Sequence, residues 1–185
     1  MKKFFSIFAV AAALLVASSA QAQVTKPVFD KGDNIVSLTL GYGSGFGQRL
    51  TYERSVYTLL DGKASVGVGG SFSNCIRTYK YNGYYYTNRD VRDYFTLGVV
   101  GSFHYQFIDK LDTYVQLGLG GGAYVSKDTY TYDDGDKHVY KNTHGIFDWT
   151  TTAGVRWYFN DNWAVNGEVG WVAGSYLMVG ATYKF

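Results

Sequence analysis

From about residue 34 onward, apolar and polar residues alternate with a period of two. In Phe95–Phe107 the odd positions Phe95, Leu97, Val99, Gly101, Phe103, Tyr105 and Phe107 are apolar or Gly, while the even ones include Thr96, Ser102, His104 and Gln106. The stretch 149–159 places Trp149, Ala153, Val155, Trp157 and Phe159 opposite Thr150, Thr152 and Arg156, and 163–173 sets Trp163, Val165, Val169 and Trp171 against Asn166 and Glu168. A period of two belongs to a strand with one face buried in an apolar medium. About eight such segments are predicted, near 34–42, 48–57, 64–80, 85–107, 111–127, 144–159, 163–173 and 176–185. Leu60-Asp61-Gly62, Ile108-Asp109-Lys110 and Asn160-Asp161-Asn162 form tight connectors, whereas 75–90 and 127–144 make long excursions. The pattern predicts one all-β domain, an eight-stranded antiparallel up-and-down barrel.

Parity constrains the pairing, because a slip of one residue turns every side chain to the other face. A two-residue turn at Asn82-Gly83 would pair Tyr81 with Tyr84 and Val66 with Val99. At Asp133-Asp134-Gly135 a three-residue loop keeps the parity, puts Gly at the left-handed position, and sets Leu117 opposite Thr151 and Leu119 opposite Trp149.

Volume decides which face points outward. The interior of an eight-stranded barrel is just wide enough for its own side chains. Four tryptophans and several phenylalanines would overfill it, whereas Gly98, Gly118, Gly120, Gly122, Gly154, Ser37, Thr39, Ser71 and Ser102 on the opposite face suit a narrow lumen. Charge agrees: only 17% of residues are charged, against roughly 25% in an ordinary soluble domain. Deep within the strands the charges are chiefly Arg49, Glu53, Arg156 and Glu168, all in the polar phase. A charge in a water-poor lumen must be paired, so these four, joined by Lys184, are expected to form a network. Arg54 falls in the apolar phase, which calls for an interfacial position where it can snorkel, or for a bulge.

Met1–Ala22 reads as a cleaved signal peptide: Lys2 and Lys3, an apolar stretch over 4–17, then Ala20-Gln21-Ala22. The domain plan is then a leader over 1–22, a short extension over 23–33 and the barrel over 34–185. Losing Lys2 and Lys3 leaves the remainder near electroneutrality, so no global charge favours nucleic acid. Cys75 has no partner in the chain, which excludes a disulfide framework.

Leu177-Met-Val-Gly-Ala-Thr-Tyr-Lys-Phe185 alternates apolar residues, with Tyr183 third from last and a terminal Phe185. With the leader and the inverted patterning, the chain resembles the small Gram-negative outer-membrane β-barrels of the OmpA/OmpX type over about 34–185. The resemblance implies an outer-membrane location and contact with outer-membrane lipid and lipopolysaccharide. It also implies a monomer, and recognition of Leu177, Val179, Tyr183 and Phe185 by the barrel-assembly machinery as an assembly signal. Phe95, Phe107, Trp149, Trp157, Phe159, Trp163 and Trp171 would then form lipid-facing girdles, with 23–33 in the periplasm.

Candidate chemistry is sparse. Ser102 and His104 face the same way but fall near the inner end of their strand, far from the outer leaflet. Asp133, Asp134, Asp136, His138 and His144 match no metal-binding spacing, and the Gly118–Gly122 run precedes no helix, so neither a metal nor a cofactor is indicated. The long hairpins should project as ribbons rich in Tyr and Arg, residue types favoured at interfaces. The expected function is a non-enzymatic envelope barrel with a plugged polar lumen that presents these hairpins. The alternative is an adhesin or receptor for a surface protein or glycan; a narrow channel and a lipid A-modifying enzyme are weaker readings.

Overall fold

The computed structural model of the protein describes residues 28–172 and 174–185. The expected leader, and the extension up to residue 27, lie outside the described residues. Eight strands follow in order: β1 (Asn34–Gly43), β2 (Phe46–Leu59), β3 (Ala64–Asn82), β4 (Tyr86–Ile108), β5 (Leu111–Tyr132), β6 (Lys137–Tyr158), β7 (Trp163–Val172) and β8 (Ser175–Lys184). Each pairs antiparallel with its neighbours in sequence, and β1 pairs with β8 to close the ring. Closure satisfies every strand's backbone groups within the wall, which an apolar surrounding demands.

The alternation read from the sequence sets inside and outside. Leu38, Leu97, Val99, Leu117 and Val179 are all more than half exposed on the outer wall, while Ser37, Thr39, Ser102, Gln116 and Thr152 are buried within. Three short reversals shape the base, between β2 and β3, β4 and β5, and β6 and β7, and the first two use left-handed residues. The first passes through Leu60 and Asp61, at φ 53° and 52°, and the second through Lys110 at φ 64°. Arg54 faces outward at this end, one residue before the bulge at Ser55/Tyr57, so the bulge expected for it occurs.

Register departs from expectation at one hairpin. Tyr81 pairs with Asn88 and Val66 with Phe103, rather than with Tyr84 and Val99. The Asn-Gly pair does not make a two-residue turn; the chain continues through Tyr84 and Tyr85, and Gly83 N–H donates to Tyr86 O at 2.8 Å. The shift is even, so every side chain keeps its predicted face. At the other long hairpin the expected register holds: Leu117 faces Thr151 and Leu119 faces Trp149. Tyr132 N–H donates to Asp136 O across the three-residue loop, and Gly135 takes φ 92°.

β6 begins at Lys137, seven residues earlier than the alternation suggested, because the polar stretch 137–143 pairs fully with 125–131. As a result β3 to β6 extend as one four-stranded sheet above a wall that is short elsewhere. Pairing with β2 stops at Ile76 and pairing with β7 at Thr151. On the low side the β1–β2 turn is tied to the β7–β8 turn, with Ser44 N–H donating to Gly174 O at 2.9 Å.

Directly paired Gly98 and Gly120 let the backbones of β4 and β5 approach closely; a Cβ on Gly98 would stand 2.6 Å from the Leu119 carbonyl oxygen, while one on outward Gly101 would touch nothing. Gly98→Val should therefore destabilise the barrel by about 1–3 kcal/mol through overpacking. Gly101→Val should be neutral or stabilising, since Gly in a strand interior costs about 0.5–1 kcal/mol. Urea unfolding of each variant from phospholipid vesicles measures the contrast.

Candidate functional site

Two regions concentrate polar side chains: the lumen, and the sheet raised above it. Along one phase of each strand, Arg49 and Glu53 on β2, Ser102 and His104 on β4, Asp112, Tyr114 and Gln116 on β5, Arg156 on β6 and Glu168 on β7 converge on the axis, all at 5% exposure or less. In the lower cluster Arg156 Nη2 donates to Glu53 Oε1 at 2.6 Å and Nη1 to Asp112 Oδ2 at 3.2 Å. His104 lies between the same carboxylates, its Nδ1 3.0 Å from Asp112 and its Nε2 3.4 Å from Glu53. In the upper cluster Arg49 meets Glu168 at 3.3 Å and donates to Gln116, and Tyr114 OH donates to Glu168 at 2.6 Å. The Tyr114 ring joins the two tiers, 3.9 Å beneath the Arg156 guanidinium and stacked on His104. Each buried charge thus has an opposite charge and further hydrogen bonds, the condition for tolerating it in a medium of low dielectric.

The structure brings together Arg49, Glu53, Arg156 and Glu168 of the expected network. Lys184 is placed elsewhere. It lies at the base, with Nζ 3.6 Å from Asp33 and donating to Val28 O at 2.8 Å. Its position one residue from the end of the described chain leaves it below the lumen charges. Asp112, two residues after the Ile108–Lys110 turn, takes part in its stead. Phe29 is a second unforeseen participant. Val28 N–H donates to Gln106 Oε1 at 2.9 Å, and the Phe29 ring, 4% exposed, stands 4.6 Å from the His104 ring. The segment 28–33 therefore stoppers the base. Its signal was an apolar Val-Phe pair within an otherwise polar stretch.

Ser102, His104 and Asp112 form a connected trio, with Ser102 Oγ 2.9 Å from His104 Nε2. A Ser-His-Asp arrangement does acyl chemistry only where the hydroxyl can reach a carbonyl. Here Ser102 donates to Glu53, Phe29 covers the imidazole, and the space beside the trio is about 10 Å³, room for about one water.

The raised sheet continues the same two faces. On its inner face lie Arg77, Tyr79 and Tyr81 of β3, and Tyr86, Asn88, Asp90, Arg92 and Tyr94 of β4. Tyr124, Asp128, Tyr130 and Tyr132 of β5 and His138, Tyr140 and His144 of β6 complete it. Ring contacts run across it, including Tyr86–Tyr130 at 5.7 Å, Tyr130–Tyr140 at 6.0 Å and Tyr132–His138 at 5.7 Å. Arg92 Nε donates to Asp90 at 2.6 Å, and this bond raises the guanidinium pKa from its ordinary value. On the outer face Lys80 is directly opposite Arg89, and Lys127 directly opposite Lys141. All four are exposed.

The other expected site residues lie on the outer wall. Trp149, Trp157, Phe159, Trp163 and Phe95 are exposed there, and Phe107 and Trp171 half-buried. Leu177, Val179, Tyr183 and Phe185 are exposed at the β8 end of the ring, where Phe185 N–H donates to Asn34 O at 2.9 Å.

No protein-family model and no curated protein matches the chain. Among solved structures it is similar to the attachment invasion locus protein Ail of Yersinia pestis, 14% identical over 84% of this chain and 100% of that one, with a TM-score of 0.48. It is also similar to a de novo designed transmembrane β-barrel, 19% identical over 84% and 98% of the two chains with a TM-score of 0.42. A third is the N-terminal β-barrel domain of Pseudomonas aeruginosa OprF, 14% identical over 84% and 98% of the two chains with a TM-score of 0.38. The likeness is one of fold. The chain's own architecture is a closed ring of eight antiparallel strands, apolar outside and polar within.

Removing one member of the lower cluster strands its partners. Arg156→Met should cost about 3–5 kcal/mol of unfolding free energy, because Glu53 and Asp112 stay buried without it. Adding Glu53→Gln to that variant should recover part of the loss. Urea titration of the vesicle-embedded barrel checks both.

Proposed function

We propose that this chain is a non-enzymatic protein of the Gram-negative outer membrane, a lipid-embedded barrel with a sealed lumen that carries a sheet above the cell surface. The observation that carries the reading is the inversion of the wall, with leucines, valines and aromatics exposed around the ring and ion pairs buried at its centre. In water such a continuous apolar belt would drive association; in acyl chains it is matched to its surroundings. A transmembrane strand needs about 9–11 residues. The 10 residues each of β1, β7 and β8 fit that span, while the 22 or 23 of β4, β5 and β6 exceed it.

In this reading the leader 1–22 directs export, 23–33 lies on the periplasmic side, and the assembly machinery reads the β8 end. The outer-face cations meet the lipopolysaccharide headgroups. Lys80 and Arg89, and Lys127 and Lys141, are like charges placed directly opposite, an arrangement that destabilises a sheet in isolation. Anionic headgroups would reverse that penalty. Two guanidinium groups and Phe29 across the lumen oppose steady ion flow. A second reading, a surface adhesin or receptor, is favoured by the tyrosine-rich inner face of the raised sheet, which stands free of the barrel's own packing.

The expected product fractionates with the outer membrane, migrates differently on gels with and without boiling, and shows no steady conductance in planar bilayers. A soluble periplasmic product would refute the reading. Replacing Lys127 and Lys141 by Glu should leave heat-modifiable migration intact while weakening co-purification of lipopolysaccharide.

A further inference from the structure

On the raised sheet's inner face, toward the tip of the β3–β4 hairpin, lies an open concavity of about 420 Å³, lined by Tyr79, Tyr81, Asn88, Asp90 and Arg92. Its volume lies within the range of small-ligand sites, about 300–1,000 Å³. Tyr79 and Tyr81 sit two residues apart on one face of β3, about 6.6 Å along the strand, and are 47% and 64% exposed. Asn88 is opposite Tyr81 and Asp90 opposite Tyr79.

The polar groups of this concavity are unbalanced in one direction. Asp90 is 9% exposed, and its Oδ2 is taken by Arg92. Its Oδ1 is buried with no hydrogen-bond partner, and Asn88 Oδ1 is in the same condition. Both orphans are acceptors. A buried acceptor left without a donor costs about 1–3 kcal/mol, so the concavity calls for a ligand that brings donors and no net negative charge. Asp128 stands directly across β4–β5 from Asp90, and Arg77 directly across β3–β4 from Arg92, so the charges around the concavity balance and an uncharged ligand matches them. Arg92 is already committed to Asp90 and lies over the Tyr79 ring, 5.0 Å from its centroid.

Neutral saccharides fit these requirements: their hydroxyls donate to carboxylate and amide oxygens, and their C–H faces lie flat on exposed aromatic rings. We propose that this concavity is a binding site for a neutral saccharide, with Asp90 and Asn88 accepting from sugar hydroxyls and Tyr79 and Tyr81 supplying the apolar platform. The assignment rests on the reading of the raised sheet as cell-exterior, and it deepens the receptor reading by naming the ligand class and the residues that hold it.

The test uses the full barrel refolded in detergent micelles, with folding verified first by heat-modifiable migration. Saturation-transfer NMR is recorded with cellobiose, lactose and N,N′-diacetylchitobiose, and with a sulfated heparin disaccharide as the anionic arm, all in the presence of a chelator. Transfer to at least one neutral disaccharide is expected. It should weaken about tenfold or more in Asp90→Ala, the loss of a hydrogen bond to a charged group, and in Tyr81→Ala, whose exposed side chain leaves the fold undisturbed. Lys127→Glu should leave it unchanged. No transfer to any neutral disaccharide from a correctly folded barrel overturns the proposal, as does transfer indifferent to both variants. Transfer to the sulfated probe alone, lost in Lys127→Glu, also overturns it and moves saccharide recognition to the outer face. A chain that never shows heat-modifiable migration fails the membrane-barrel reading instead, before any saccharide is added.

Discussion

A guanidinium and a carboxylate 2.6 Å apart on the barrel axis, Arg156 and Glu53, bind the inside of this protein together. In a ring this narrow there is no bulk water to solvate either one, so each must be met by protein atoms. Asp112, His104, Tyr114 and Ser102 supply them, and the second tier of Arg49, Glu168 and Gln116 repeats the solution higher up. Opposite walls are thereby tied across the lumen by charge instead of by a hydrophobic core. The outer surface is then free to be apolar, because the core has been given over to polar groups.

The raised sheet inherits that division. β3 to β6 leave the ring without changing parity, so the phase that faced the lumen becomes the tyrosine face and the phase that faced outward becomes the basic one. No separate domain is needed to obtain two chemically different surfaces. A strand long enough to outrun the wall carries both with it, and the cross-strand aromatic contacts stabilise a sheet that has no second layer to pack on.

Strands and faces were legible because a period of two is a local property: Trp149, Ala153 and Trp157 announce their side without reference to anything distant. Register was less so. The pairing of Val66 with Phe103 instead of Val99 preserves parity, so alternation is blind to it, and turn chemistry at Asn82-Gly83 favoured the shorter loop. The lumen network was legible in outline from buried charge alone. Asp112, Tyr114 and Gln116 join through reach across the axis, and Lys184 falls away for want of it. No window of neighbouring residues contains that information. The concavity at Asp90 was equally invisible, since it depends on which atoms are left without partners after the sheet has formed.

The stopper at the base has an implication for the order of assembly. Val28 bonds to Gln106, 78 residues further along the chain, and Phe29 rests on His104. Neither seat exists until β4 has taken its place in the ring beside β3 and β5. Docking of 28–33 is accordingly a late event, a latch that drops only after the staves are hooped, and protection of this short segment from proteolysis would mark the moment at which the vessel is finished.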